Sequence, residues 1–343
     1  MESAVQKHQC IITAINEKYV PFFSVLLKSI IENTENTEKY EIVVFYSQLS
    51  EESQTILNGM ICKENIWIRF FDVSRWIRGW TFFVNGENQR QYLSQEAYFR
   101  LLAHELLPEY QRALYLDSDM VVQPGWTDIF QIELESYLLA AVPDIWDNWK
   151  CNLPGSHLAE YRRKELGINN FAEYFNSGMM LLNLEKMRAI FKCRELLEVA
   201  VSKSWKKHDQ DVLNYMCKGQ VLLLDYRWNL IECPNKAAAD AISQEERWQM
   251  QNSEKEKKII HFASRKPWKV RGVQNEDAFW KYAVGSSFFD LIFSLFIEEQ
   301  LQQGKYFEQT VYKSIYSGRV GIKFIIKCIK KWLDKLILKH GER

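Results

Sequence analysis

No run of about 18 apolar, uncharged residues occurs in this 343-residue chain, so no segment reads as an ordinary membrane-spanning helix. Paired cysteines are missing too. The seven cysteines are scattered and odd in number, without a C-x-x-C pair. That spacing argues against a disulfide framework or a zinc site and for reduced thiols in a cytosolic protein. Net charge is absent, with 44 basic and 44 acidic residues, so no global field calls for nucleic acid as a partner. The first residues, MESAVQKHQ, are polar and lead straight into a strand, so no signal peptide is expected. Internal repeats and low-complexity linkers are lacking as well. What is present is 47% hydrophobic residues and 12 tryptophans, enough to bury a sizeable core, in a length that suits one large domain with an appendage or two small domains.

The first third alternates. Apolar runs at Cys10 to Ile15, Tyr40 to Tyr46 and Ile66 to Val73 are separated by two helical patterns. One is VPFFSVLLKSIIENT; the other is SEESQTILNGMI, with Ser50 as an N-cap and acids in its first turn. This spacing implies a βαβαβ half with parallel strands. Arg75 to Tyr92 reads as a long loop, and SQEAYFRLLAHELLP as a helix capped by Ser94. RALYLDSDMVV follows as a fourth strand. Further strands are predicted at Leu138 to Asp144, Ser177 to Leu184, Gln220 to Asp225 and Lys257 to Ala263. After Gly285 the pattern is helical only. The expected domains are therefore 1–285 and a helical extension over 286–343.

In open α/β sheets, ligands bind beyond the carboxyl ends of strands, where Asp117 and Asp119 fall. Residues two apart in extended chain point the same way. Two such carboxylates repel unless a divalent cation joins them, and carboxylate oxygens suit Mg²⁺ or Mn²⁺. An exposed loop start explains a lone D-x-D equally well. His261, ending another apolar run, offers either a third ligand or a hydrogen-bonded core histidine.

Read together, RALYLDSDMVV, ITAINEKYVPFFSVLLKSI, AYFRLL, FNSGMMLLNLEKMR, HDQDVLN and, in part, IIHFASRKPWK resemble the retaining glycosyltransferases of family 8, over roughly Ile11 to Lys269. The resemblance implies an α/β fold: a GT-A type, Rossmann-like nucleotide-sugar domain with a mixed, mostly parallel sheet and a C-terminal helical extension. It implies a UDP-hexose donor, galactose or glucose, a saccharide acceptor and a Mn²⁺ (or Mg²⁺) cofactor held by Asp117, Asp119 and His261. Ala14, Asn16 and Tyr19 would hold the uridine, with Ser118 and Arg100 at the nucleotide-sugar. Asn176, Asp144, Asp209 and Gln210 would meet the donor sugar, with Gln210 on its far face, and Lys266 the diphosphate. The family usually has an acid where Asn16 stands. It also has a glycine in the loop before Lys266, which HFASRKPW lacks. Asp209 equally reads as an N-cap, Asn176 as a turn residue, Tyr19 as a loop anchor and Arg100 as a surface arginine. Trp76, Trp80, Trp146 and Trp149 read as sugar-stacking or core residues. Other readings are a protein glycosyltransferase, a non-catalytic carbohydrate-binding protein, and a sugar-nucleotide pyrophosphorylase, though TAINEKYVPFF has no glycine for a phosphate loop.

The last stretch is the most basic. In RVGIKFIIKCIKKWLDKLILK, seven basic residues stand against the single acid Asp334, and Ile322, Ile325, Ile329, Trp332 and Leu336 share another helical face. That pattern predicts a helix lying on an anionic membrane surface. It suggests a lipid-linked acceptor and a peripheral place on the inner face of the plasma membrane. A terminal helix docked on the domain core has the same pattern.

Overall fold

The computed structural model describes residues 8–82 and 95–302. The chain divides into two compact units, Met1–Ser264 and Arg265–Arg343. The compositional change near Gly285 falls inside the second.

In the first unit the apolar runs become a seven-stranded sheet, ordered β3-β2-β1-β4-β7-β6-β8. The strands are β1 (Gln9–Ala14), β2 (Tyr40–Tyr46), β3 (Ile66–Asp72), β4 (Arg112–Leu116), β6 (Leu139–Pro143), β7 (Phe175–Asn183) and β8 (Val221–Leu223). Strands β3, β2, β1 and β4 run parallel, and β6 pairs parallel with β8. Strand β7 runs antiparallel to both β4 and β6. The central runs lack alternation because β1, β2 and β4 are covered on both faces; Ile12, Val43, Val44 and Leu114 are fully buried. Helix α1 (Val20–Asn33) is apolar nearly all round for a related reason. Its Ser29 Oγ accepts from Val122 N at 3.0 Å, a residue of a second sheet. Helix α2 (Glu51–Gly59) is capped as predicted, Ser50 accepting from Ser53 N at 3.1 Å.

Two predictions are corrected. RALYLDSDMVV is not one strand. Its first half is β4; after the turn at Asp117–Asp119 it resumes as β5 (Met120–Val122) in a separate sheet, ordered β5-β10-β9, with β9 (Leu230–Ile231) and β10 (Ile259–His261). Aspartate is poor in strands and favoured in turns, so two of them break the run. The helix expected from Ser94 begins, in the described residues, as a 3₁₀ stretch at Gln95–Leu102 and becomes α-helical only at Ala103–Leu106. Arg100 Nε donates to Ala97 O at 2.8 Å, in keeping with the three-residue period. Ser94, residues 83–92 of the predicted loop and the basic tail lie outside the described residues.

The second unit, by itself, contains the helices Glu276–Ala283 and Phe289–Gln302. They meet through the Trp280 ring, 5.1 Å from Phe296 and 6.5 Å from Phe293. No helix among the described residues is long and apolar enough to cross a membrane.

Candidate active site

Strand direction gathers the site. The carboxyl ends of β1, β4 and β6 lie at one edge of the sheet. Because β7 is reversed, its first residues arrive at that same edge. There β7 bulges: Ala141 faces Met180, but the next residue, Val142, faces Asn176. The bulge leaves Ser177 and Gly178 out of the ladder with β6, next to Asn176 and beside the end of β4.

Asp117 and Asp119 stand on the turn between the two sheets. Asp117 N bonds Gly178 O at 2.8 Å, and Phe262 N bonds Asp119 O at 3.0 Å. The two oxygens of Asp117 face different partners. Oδ1 accepts from Arg100 Nη2 at 2.8 Å and from the Tyr115 hydroxyl at 3.2 Å. Oδ2 lies 3.8 Å from His261 Nε2, and Asp119 Oδ1 lies 3.3 Å from the same nitrogen. One ligand atom from each of the three residues falls within 4.8 Å of the others, a donor set of two carboxylates and an imidazole that fits Mn²⁺ or Mg²⁺. Gly178 makes the room. A Cβ there would stand 2.4 Å from His261 Cε1 and 2.8 Å from Asp117 Oδ2.

Around these ligands sits a hydrogen-bonded layer. Arg100, only 5% exposed, donates to Asp117 and to Ser177 O, and pairs through Nε with Asp209 Oδ2 at 3.1 Å. Asp209 also accepts from Ser177 Oγ at 3.1 Å. Burial pushes the Asp209 carboxyl up to about 6, with Asp117's charge adding to the rise and Arg100 opposing it. Gln210 fills all its hydrogen-bonding capacity. Its Oε1 accepts from Ser177 N (3.1 Å) and Asn176 Nδ2 (3.2 Å); its Nε2 donates to Asp144 Oδ2 (3.0 Å) and to the Tyr174 hydroxyl (3.1 Å). The Tyr174 hydroxyl in turn donates to Asp211 Oδ1 at 2.7 Å. Asn176 Nδ2 also reaches Asp144 Oδ2 at 3.3 Å.

The structure therefore brings Arg100, Asp117, Asp119, Asp144, Asn176, Asp209, Gln210 and His261 together, with Ser118 on the same turn. Ala14 ends β1 at the same edge, and Asn16 and Tyr19 follow it. Asn16 Oδ1 caps the short turn by accepting from Lys18 N at 3.1 Å, and its Nδ2 donates to Glu96, a buried carboxylate, at 3.1 Å. The Tyr19 ring stands edge-on to Phe22 at 5.8 Å. Lys266 and Arg265 belong to the second unit. There the Arg265 fork donates to Gly272 O and Arg271 O, and Lys266 Nζ lies 5.8 Å from the Trp268 ring. Trp146 is 9% exposed and donates to Ile231 O at 2.7 Å, which ties its loop to β9.

Sequence reasoning missed Ser177, Gly178, Tyr174, Asp211 and Asn229. Asn229 is 2% exposed, and its Oδ1 lies 2.9 Å from His261 Nδ1. Its motif, RWNL, carries no signal by itself. A second cluster of possible ligands, His104, Glu105 and Cys193, has different chemistry. Burial raises the Cys193 thiol and lowers His104 to about 4, so both are held neutral in an apolar core.

The family model "Glycosyl transferase family 8" matches residues 10–272. The lipopolysaccharide 1,2-glucosyltransferase of Escherichia coli K12 is 28% identical over 201 residues, covering 57% of this chain and 56% of that protein. Among solved structures, the bifunctional glycosyltransferase WbbM superposes with a TM-score of 0.75 at 24% identity, over 86% of this chain and 53% of that one. The galactosyltransferase LgtC, solved with donor and acceptor sugar analogues, gives 0.65 at 21% identity, over 81% and 96%. These neighbours share the GT-A type fold. The chain thus spans little more than half of the E. coli relative and of WbbM.

Proposed function

The chain belongs to glycosyl transferase family 8, and from that premise we propose that it moves a hexose, galactose or glucose, from a UDP-sugar to a saccharide hydroxyl with retention at the anomeric carbon. The observation that carries this reading is the convergence of Asp117, Asp119 and His261 beside Asp144, Asn176, Asp209 and Gln210. The first three would hold Mn²⁺ or Mg²⁺. When bound, such a cation neutralises charge on the departing diphosphate.

The chain's own groups do the rest. Arg100 fixes the carboxylates of Asp117 and Asp209, so neither has to reorganise as charge develops on the leaving group. Asp144, Asn176 and Asp209 present acceptors and a donor for sugar hydroxyls. Ala14, Asn16 and Tyr19 serve the uridine side, and Ser118 the nucleotide-sugar. Gln210 is a weak nucleophile: its Oε1 already accepts two hydrogen bonds. That supports attack on the same face the UDP leaves from, through an ion-pair-like transition state, over a two-step displacement. The acceptor class follows the E. coli relative's name, a lipopolysaccharide saccharide, and the basic tail suggests that it is lipid-linked.

The test is UDP release from a panel of UDP-sugars, with and without Mn²⁺ and without acceptor. One or two hexose donors should turn over, chelation should stop them, and Asp119→Asn should lose nearly all turnover with an unchanged circular dichroism spectrum. With acceptor, an α-linked donor should give an α-glycoside by proton NMR. Full turnover by Asp119→Asn overturns the metal assignment, and a β-glycoside overturns retention.

A further inference from the structure

A metal-ligating histidine must offer a lone pair, so one of its nitrogens must carry the proton elsewhere. In His261 the nitrogen facing the two aspartates is Nε2; Nδ1 faces Asn229 Oδ1 at 2.9 Å. Two arrangements satisfy these distances. Either Nδ1 donates to Asn229 and Nε2 keeps its lone pair, or Nε2–H donates to Asp119 and Asn229 has its amide turned, donating to Nδ1.

The neighbours choose between them. Asn229 Nδ2 donates to Asn176 Oδ1 at 2.9 Å, and Asn176 Oδ1 also accepts from the backbone Gly178 N at 3.0 Å. A backbone N–H can only donate, so Asn176 Oδ1 must face it. Turning Asn176 would set its amide nitrogen against the Gly178 N–H and its oxygen against Asp144 Oδ2 and Gln210 Oε1, both acceptors. Gln210 is locked in turn by the backbone Ser177 N, which donates to its Oε1. With Asn176 fixed, turning Asn229 would set two amide oxygens against each other. Two backbone N–H groups of the β7 bulge thus dictate the direction of every bond out to the imidazole.

We infer that Asn229 is a positioning residue: it holds His261 as the Nδ1–H tautomer and so leaves Nε2 as an acceptor toward Asp117 and Asp119. It also links the metal end of the site to Asp144 and Gln210 through Asn176. This inference rests on the reading of the site given above, and it is written into short, directed hydrogen bonds among buried groups. Asn229 is itself fixed by its place between the turn Tyr226–Trp228 and β9, which pairs in register with β10, Ile231 opposite His261.

The test begins with the metal-free wild-type chain. Nitrogen NMR of ¹⁵N-histidine protein above the imidazole titration should show His261 protonated at Nδ1 and bare at Nε2. Asn229→Ala should lose that bias and weaken Mn²⁺ binding, followed by electron paramagnetic resonance, by about 10–100-fold. Asn229→Asp keeps an acceptor for Nδ1–H but cannot donate to Asn176. It should hold Mn²⁺ within a few-fold of wild type while lowering the rate of UDP release. A residue that only supported the fold would lower the melting temperature in both variants without separating binding from turnover. A wild-type His261 protonated at Nε2, or unchanged Mn²⁺ affinity in Asn229→Ala, overturns the inference. If the wild type binds no Mn²⁺ at all, the metal reading fails, while the nitrogen spectrum still decides the tautomer.

Discussion

Gly178 is the residue whose absent side chain does most. Its N–H orients Asn176, its carbonyl receives Asp117 N, and its missing Cβ leaves the volume that His261 and Asp117 occupy. Its φ is not in the left-handed region, so the demand is for space and not for backbone freedom. Gly178→Ala should therefore push the imidazole away from the aspartates. We expect a loss of roughly 1–3 kcal/mol from overpacking and a fall of at least about tenfold in Mn²⁺ affinity. Calorimetric unfolding and metal titration check these separately; wild-type affinity in the variant contradicts the geometry. From the sequence, Asp117, Asp119 and His261 could be named as a set because the family resemblance joins a D-x-D to a distant histidine. Gly178 and Asn229 could not, because their importance is one of volume and bond direction, which a one-letter code does not carry.

Strands were legible where burial made them uniformly apolar, as in β1 and β2. The break between β4 and β5 was not, because apolar residues flank it on both sides and only the turn tells the two sheets apart. The reversal of β7 was equally hidden, since an antiparallel strand covered on both faces reads like a parallel one. The 3₁₀ stretch Gln95–Leu102 joins three of these elements through Arg100, which grips the end of β4, the bulge of β7 and Asp209 at the start of the helix His208–Met216. The cost falls on Asp209. Its carboxyl rises from 3.8 to about 6, so the fold favours the protonated form. The native chain then binds more protons than the unfolded chain between those values, and stability drawn from this group is lost as pH rises through them. We expect the stability of metal-free wild type, measured relative to Asp209→Asn, to fall by about 2 kcal/mol between pH 4 and pH 7. Urea unfolding at several pH values measures it; a flat or rising difference contradicts the assignment.

The tail over residues 317–343 lies outside the described residues, and its composition carries its own prediction. With its six lysines, Arg319 and Arg343 set against Asp334 and Glu342, it should draw the chain to anionic vesicles at low salt. Removing it should abolish co-sedimentation and leave UDP release intact; a truncated chain that unfolds instead shows that the tail is structural. Within the first unit, the turn Asp117–Asp119 joins the seven-stranded sheet to a sheet built from strands of two and three residues. So small a sheet has little stability of its own. Asp117 is hydrogen-bonded to the large sheet and Asp119 to the small one, while His261 ends the small sheet's middle strand. A cation shared by the three would clamp one sheet to the other. Amide protons of Ile260, Val121 and Leu230 should then exchange with solvent more slowly as cation is added. Occupancy of the site would thus govern how often this corner of the molecule opens, and with it how exposed it is to proteases.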